Sequence, residues 1–127
     1  MAFEIVLLPA MLLIGNELQT TLKDGACYNE IPPFWEQQRQ NNIFAQIPNQ
    51  VVPYGILGAY TNYSPDFSLA TSTGGYSLIV GSLVTTTTVV PVGMVAKEIP
   101  AAKYAVFTAK GPFYPAIYEA WMQVWQE

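Results

Sequence analysis

The sequence contains no histidine, one cysteine and few charged residues, and each shortage excludes a kind of site. Without histidine, the chain cannot form a histidine-ligated metal site or a Ser-His or Cys-His catalytic pair. Cys27 alone allows no internal disulfide, so we expect a reducing, cytoplasmic location. Because no base lies near it in sequence, Cys27 is predicted to be a small loop residue and not a nucleophile.

Long hydrophobic runs and clusters of positive charge are also missing. The longest apolar stretch, Ile5–Ile14, contains Pro9 and is well short of the roughly 20 residues that span a bilayer. Glu4 lies where a signal peptide would carry positive charge. The five lysines and arginines are scattered and form no basic stripe. We therefore expect neither membrane insertion nor nucleic-acid binding by this domain.

Phosphate-binding glycine loops, Cys-x-x-Cys pairs and metal-spaced carboxylates are absent as well. We predict no catalytic residue, no metal site and no cofactor. What the chain has in excess is apolar side chains: 51% of its 127 residues are hydrophobic and only 11% are charged, against a usual charged share of about a quarter. A domain of this length buries one core, and the surplus apolar surface needs a partner or a ligand.

Two apolar stretches near the two ends of the chain resemble each other. Val6–Leu13 and Glu98–Phe107 are each interrupted by Pro-Ala, and each is followed by a tryptophan in a helix-like segment, Trp35 in the first case and Trp121 in the second. Internal repetition of this kind predicts that the fold is built from repeated units.

The local patterns predict an α+β fold in which an antiparallel sheet carries two helices on one face. We expect a single domain over 1–127, with a β-α-β-β repeat over 1–92 and a partial second repeat over 93–127. The predicted elements are strands at 3–14, 54–60, 76–90 and 99–110, an irregular polar segment at 16–29, a helix from Ile31 to about Phe44, and a second helix with Pro115 near its first turn.

The second predicted helix carries a wide apolar stripe. One line runs along Ile117, Trp121 and Trp125, and a parallel line contains Tyr114, Tyr118 and Met122. A helix packed on a single sheet buries one such line, so the other needs a further surface, for which a ligand is a candidate.

We expect the binding residues to be aromatic rings that line a cavity, together with a carboxylate from either helix. Aromatic faces attract cations, and buried tyrosine hydroxyls need partners. A partly buried carboxylate among rings would favour a lipophilic cation over a neutral molecule. The predicted site residues are Trp35, Glu36, Tyr54, Tyr76, Tyr114, Tyr118, Glu119 and Trp121.

An ordered set of motifs resembles the effector-binding domain of AraC- and MerR-type regulators, also called the gyrase-inhibitor-like domain. The resemblance implies two β-α-β-β repeats about a pseudo-twofold axis, with a groove between the helices that binds lipophilic, often cationic, small molecules. It is strongest to free-standing members, including those on mobile gene cassettes. The motifs are Phe34-Trp35, Tyr54–Leu57, Tyr76–Gly81, Ile99–Phe107, Gly111-Pro112 and Trp121–Trp125.

The sequence departs from the resembled family at its end. In that family a glutamate on a strand after the second helix commonly neutralises the bound cation, whereas this sequence ends at Glu127 without that strand. We expect either a truncated chain or a sheet completed by pairing with a second copy, since an open edge invites such pairing.

Three classes of function are compatible with these observations. The first is a binding module for lipophilic, cationic molecules. The second is a small hydrolase of reactive electrophilic compounds, which would use Glu36 or Glu119. The third is an interaction module whose apolar face meets a partner protein, such as a regulator.

Overall fold

A computed structural model describes residues 3–51, 56–68 and 70–107, and the described ranges form an antiparallel α+β fold. This confirms the predicted class. The described elements are β1 (Phe3–Leu8), β2 (Met11–Thr21), α1 (Ala26–Gln40), β3 (Leu57–Thr61), β4 (Gly75–Val84), β5 (Val95–Ile99) and β6 (Ala102–Phe107), with short 3₁₀ turns at Lys23–Gly25 and Ile43–Gln46. The second predicted helix lies outside the described residues.

The chain divides into two compact units. In the unit made of Met1–Ala10 and Pro100–Glu127, β1 and β6 form a two-stranded antiparallel sheet. In the unit made of Met11–Ile99, α1 accompanies a four-stranded antiparallel sheet of order β3-β4-β2-β5.

Each Pro-Ala pair separates two strands, so the predicted single strands over 3–14 and 99–110 are wrong. Pro9-Ala10 lies between β1 and β2, and Pro100-Ala101 lies between β5 and β6. Proline has no N–H with which to continue a ladder. Both breaks are two residues long. Leu8 of β1 pairs with Ala102 of β6, and Met11 of β2 pairs with Ile99 of β5.

The segment 16–29, predicted to be irregular, instead completes β2 and begins α1. The polar residues of this segment predicted a loop, but β2 is an inner strand of the sheet and pairs with β4 as far as Thr21. The helix begins at Ala26 and ends at Gln40, before Phe44. Cys27 is consequently a buried residue of the first helical turn and not a loop residue.

Two prolines, expected in the first helical turn, lie in the interior of α1. Pro32 and Pro33 lack the N–H groups that would bond to the carbonyls of Tyr28 and Asn29 four residues earlier. Both Tyr28 and Asn29 are exposed, so water can reach that side of the helix. The proline pair, which marks the predicted helix start, therefore lies more than one turn inside the helix.

The hairpin of β3 and β4 is antiparallel, as predicted from the connection between Tyr60 and Tyr76. Its strands are shorter than expected. β3 begins at Leu57, and β4 ends at Val84, before the threonine run 85–88. The Thr86 hydroxyl there donates to the Thr88 hydroxyl across 3.3 Å, so this run satisfies part of its polarity locally.

The four-stranded sheet is strongly coiled. The Asn62 amide, just after edge strand β3, donates to Glu17 Oε2 of β2 across 3.2 Å, and its Oδ1 accepts from Lys97 Nζ of the opposite edge strand β5 across 3.1 Å. In a flat sheet the two edges would lie about 14 Å apart, at about 4.8 Å per strand. The sheet therefore curls toward the face that carries Glu17 and Lys97.

A close approach of β2 and β4 accompanies this curvature. Gly15 and Gly81 pair directly across the two strands. A Cβ atom on Gly81 would lie 1.9 Å from the Ile14 carbonyl oxygen, and one on Gly15 would lie 2.2 Å from that of Val80. Only residues without a side chain fit here, which is a common role of glycine inside a strand.

The core lies mainly on the opposite, convex face. Ile14, Ile43, Ile47 and Val84 form a buried cluster there, against which Leu12, Phe44 and Met94 pack. This core joins the sheet to the 3₁₀ turn that follows α1.

Candidate functional site

The face of α1 that meets the sheet is fixed by specific contacts. Gln38 is buried, and its Oε1 accepts a hydrogen bond of 2.7 Å from the Asn16 amide of β2. Trp35 lies one turn earlier, directly against Gly58 of β3: a Cβ at that position would be 2.6 Å from the indole ring. The indole therefore occupies the space that a side chain at position 58 would fill.

Beside this contact, four aromatic rings form what we call the aromatic cluster: Tyr60, Tyr63, Phe67 and Tyr76. Tyr76 is its centre, with ring centroids 5.9 Å from Tyr60, 5.7 Å from Tyr63 and 5.8 Å from Phe67. Tyr63 and Phe67 meet edge to face at 4.6 Å. Such spacings are those at which aromatic pairs attract each other.

The aromatic cluster opens to solvent through Tyr63. Its ring stacks on Tyr76 at an interplanar angle of 28° and is 49% exposed, whereas the other three rings are partly buried. A half-exposed residue of this kind lets a ligand reach the ring from solvent. The aromatic cluster thus has three partly buried rings and one residue, Tyr63, that is accessible to solvent.

The Tyr76 side chain is tied to the helix. Burial, followed by a hydrogen bond with the Cys27 side chain, raises the pKa of the Tyr76 phenol above its ordinary value. Burial also raises the pKa of Tyr60 and Tyr63. The cluster therefore presents neutral phenols, which keep their electron-rich faces and carry no charge of their own at neutral pH.

These raised pKa values predict a loss of stability in alkali. Below pH 10, the ordinary tyrosine value, the phenols are neutral in both the folded and the unfolded chain, and their stabilising contribution is fully present. Above it the unfolded chain ionises first, so the free energy of unfolding falls as pH rises. We expect this fall to be shallower in Tyr76→Phe, measured by urea denaturation across the alkaline range. Equal slopes for the two proteins would contradict the assignment.

A carboxylate lies next to the aromatic cluster. Glu30 Oε1 accepts a hydrogen bond of 2.5 Å from the hydroxyl of Thr20, a buried residue of β2. Thr20 is the cross-strand partner of Tyr76. Glu30 is also three residues after Cys27, which contacts Tyr76, so both helix residues face the same pair of strands.

The sequence-predicted site residues fall into three groups in the structure. Trp35 of α1 lies against the sheet at Gly58, and Tyr76 lies in β4. Glu36 lies on the exposed side of α1, where it forms an ion pair of 3.3 Å with Arg39. The remaining five, Tyr54, Tyr114, Tyr118, Glu119 and Trp121, lie outside the described residues.

Several cluster residues were not among the predicted site residues. Phe67 and Tyr63 come from the loop between β3 and β4, and their positions depend on bonds that sequence patterns do not reveal. Phe67 N–H donates to the Ser64 carbonyl, and Gly75 N–H donates to the Ser64 hydroxyl. The available signal was the Pro65-Asp66 turn, which returns the chain toward Tyr76.

The described residues contain no helix of the length and hydrophobicity that crossing a membrane requires. Within the same ranges, no three acidic, cysteine or histidine side chains are grouped closely enough to hold a metal ion.

Comparison with known proteins gives the class of this chain. A family model described as integron-associated effector binding protein matches residues 4–127. The chain belongs to this family.

Three solved structures share the fold. An integron cassette protein from Vibrio cholerae is 23% identical with a TM-score of 0.70, over 98% of this chain and 76% of that one. The protein SAV2435, solved bound to tetraphenylphosphonium, is 19% identical with a TM-score of 0.71, over 99% and 72%. A predicted transcription regulation protein from Staphylococcus aureus MU50 is 17% identical with a TM-score of 0.73, over 99% and 74%.

A curated relative is also similar. YobU, a predicted transcriptional regulator protein of Bacillus subtilis (strain 168), is 27% identical over 96 residues, which are 75% of this chain. The match spans 57% of the length of YobU.

Proposed function

We propose that this protein binds lipophilic, cationic, drug-like small molecules, and that the aromatic cluster with Trp35 forms part of the binding site. Membership of an effector-binding family supports a ligand-binding role. The observation that carries the proposal is the half-exposed Tyr63 ring stacked on the partly buried Tyr76. A protein of the same fold was solved with a lipophilic cation, tetraphenylphosphonium.

The chemistry of the aromatic cluster fits such a ligand. Phenyl groups of a lipophilic cation can stack on the open face of Tyr63 and bury apolar area, which is worth about 25 cal/mol per Å². The positive centre is attracted to the negative faces of the rings, by about 0.5 to 2 kcal/mol depending on how much water is excluded.

The rest of the proposal comes from the sequence. Tyr54, Tyr114, Tyr118, Glu119 and Trp121 are proposed to contribute to the same binding function, and the whole chain is proposed to act as one domain with two repeats. A cytoplasmic location and a regulator or second copy as partner complete the proposal, since similar proteins include a predicted transcriptional regulator.

Isothermal titration calorimetry with tetraphenylphosphonium tests the proposal. We expect a dissociation constant in the micromolar range as an order of magnitude. Tyr63→Ala should lose about 1 kcal/mol, or roughly fivefold, because it removes the accessible ring. Tyr28→Ala is the matched control, since Tyr28 is a 68% exposed tyrosine that contacts none of the described aromatic rings.

The two variants separate the possible results. Loss of affinity in Tyr63→Ala with Tyr28→Ala unchanged would support the aromatic cluster as the site. Equal affinities in all three proteins would place binding elsewhere. Absence of binding to the wild-type protein would contradict the proposed function itself.

A further inference from the structure

We infer that Glu30 is the residue that makes this site prefer cations over neutral molecules of the same shape. The inference rests on the proposed function. It concerns a residue that was not among the sequence-predicted site residues, and it is carried by three contacts that converge on one strand pair.

The first contact holds the carboxylate in place. Thr20 is buried, and its hydroxyl donates to Glu30 Oε1 across 2.5 Å. A hydroxyl fixed in an inner strand of the sheet can point in few directions, so this bond restricts the rotamers of the glutamate. A carboxylate that is already ordered loses less conformational entropy when it meets a charged ligand.

The second and third contacts place that carboxylate beside the rings. Thr20 pairs with Tyr76 across the β2–β4 ladder, and directly paired residues have Cβ atoms about 5 Å apart. Cys27, one helical turn before Glu30, contacts the Tyr76 side chain. Cys27 and Glu30 therefore both face the pair of strands β2 and β4. This places the negative charge of Glu30 at the edge of the aromatic cluster.

The electrostatic surroundings leave this charge available. Glu30 is exposed, and no lysine or arginine in the described ranges forms an ion pair with it. Glu36, the other glutamate of α1, is already paired with Arg39 at 3.3 Å. The phenols and thiol around Tyr76 add no formal positive charge. A cation stacked on Tyr76 would therefore lie near a carboxylate that no described lysine or arginine neutralises.

The test compares a cation and a neutral molecule on the same variants. The probes are tetraphenylphosphonium and triphenylphosphine oxide, which share phenyl groups but differ in charge. In Glu30→Gln the amide oxygen can still accept the bond from Thr20, so mainly the charge is removed. We expect tetraphenylphosphonium affinity to fall about fivefold at low salt, with less loss at high salt. The affinity for triphenylphosphine oxide should stay unchanged.

Glu36→Gln is the matched control, because it removes an equal charge from the exposed side of the same helix. It should change neither affinity by more than a small, salt-sensitive amount. If Glu30→Gln binds both probes as the wild type does, the inference is wrong even though the binding function stands. If the wild-type protein binds neither probe, the proposed function fails instead. Equal losses in both glutamine variants would show a general charge effect and would also overturn the inference.

Discussion

Replacing Gly81 with alanine is expected to destabilise the protein by on the order of 3 kcal/mol. The added Cβ would lie 1.9 Å from the Ile14 carbonyl oxygen and 2.6 Å from the Gly15 Cα atom. Both obstacles are backbone atoms of β2, so relief requires the two central strands to separate. Separation would lengthen their hydrogen bonds and flatten the curvature of the sheet.

Gly75→Ala provides the matched control on the same strand. A Cβ at Gly75 would meet one backbone atom, the Thr20 carbonyl oxygen, at 3.1 Å, which a shift of a few tenths of an ångström relieves. Urea denaturation of the two variants, compared with the wild type, measures the difference in unfolding free energy. If the two alanine variants prove equally stable, the close approach of β2 and β4 is not as described.

Leu78→Ala is expected to cost about 3 kcal/mol of stability and to weaken ligand binding as well. Leu78 is fully buried, and it is the cross-strand partner of Tyr60. A Cβ at Gly58 would lie 3.3 Å from a Leu78 methyl group and 2.6 Å from the Trp35 indole, so the leucine lies near the same position as the indole. Truncation leaves a cavity beneath both aromatic residues.

Leu7→Ala is the control for this variant, because Leu7 is a leucine of β1 that is 76% exposed. Its removal should change the unfolding free energy by less than about 0.5 kcal/mol. Thermal and urea denaturation give the stability difference, and calorimetry with tetraphenylphosphonium below the unfolding range gives the affinity. If Leu78→Ala binds tetraphenylphosphonium with unchanged affinity, Leu78 does not support the binding site and this prediction is wrong.

The sequence predicted the fold class because its strongest signals are local. The two Pro-Ala pairs mark real interruptions, and the hairpin connection between Tyr60 and Tyr76 predicted an antiparallel pair correctly. The prediction lost accuracy where polar residues occupy an inner strand. Asn16 and Glu17 look like loop residues, yet both make side-chain hydrogen bonds to residues more than 20 positions away. Such bonds become visible only once the fold is known.

The candidate site was predictable in composition and not in arrangement. The aromatic content predicts an aromatic site, with Trp35 and Tyr76 among its residues. Glu36 was chosen because it follows Trp35, but one position on a helix turns a side chain by about 100°. Glu30 faces the sheet because it is one turn after Cys27. No pattern in the sequence alone indicated which carboxylate would find a buried hydroxyl partner in Thr20.

The hydrogen bonds of Asn62 across the coiled sheet have a consequence for the order of folding. Asn62 bonds to Glu17, 45 positions away, and to Lys97, 35 positions away, so these bonds require strands from three separate parts of the chain. Loop-closure entropy makes such contacts costly until nearer pairs have formed. The β3–β4 hairpin is the most local pairing among the described strands of this unit, whereas the two Asn62 bonds together require both β2 and β5. We therefore expect the curvature of the sheet to be completed late in folding, after the hairpin has formed.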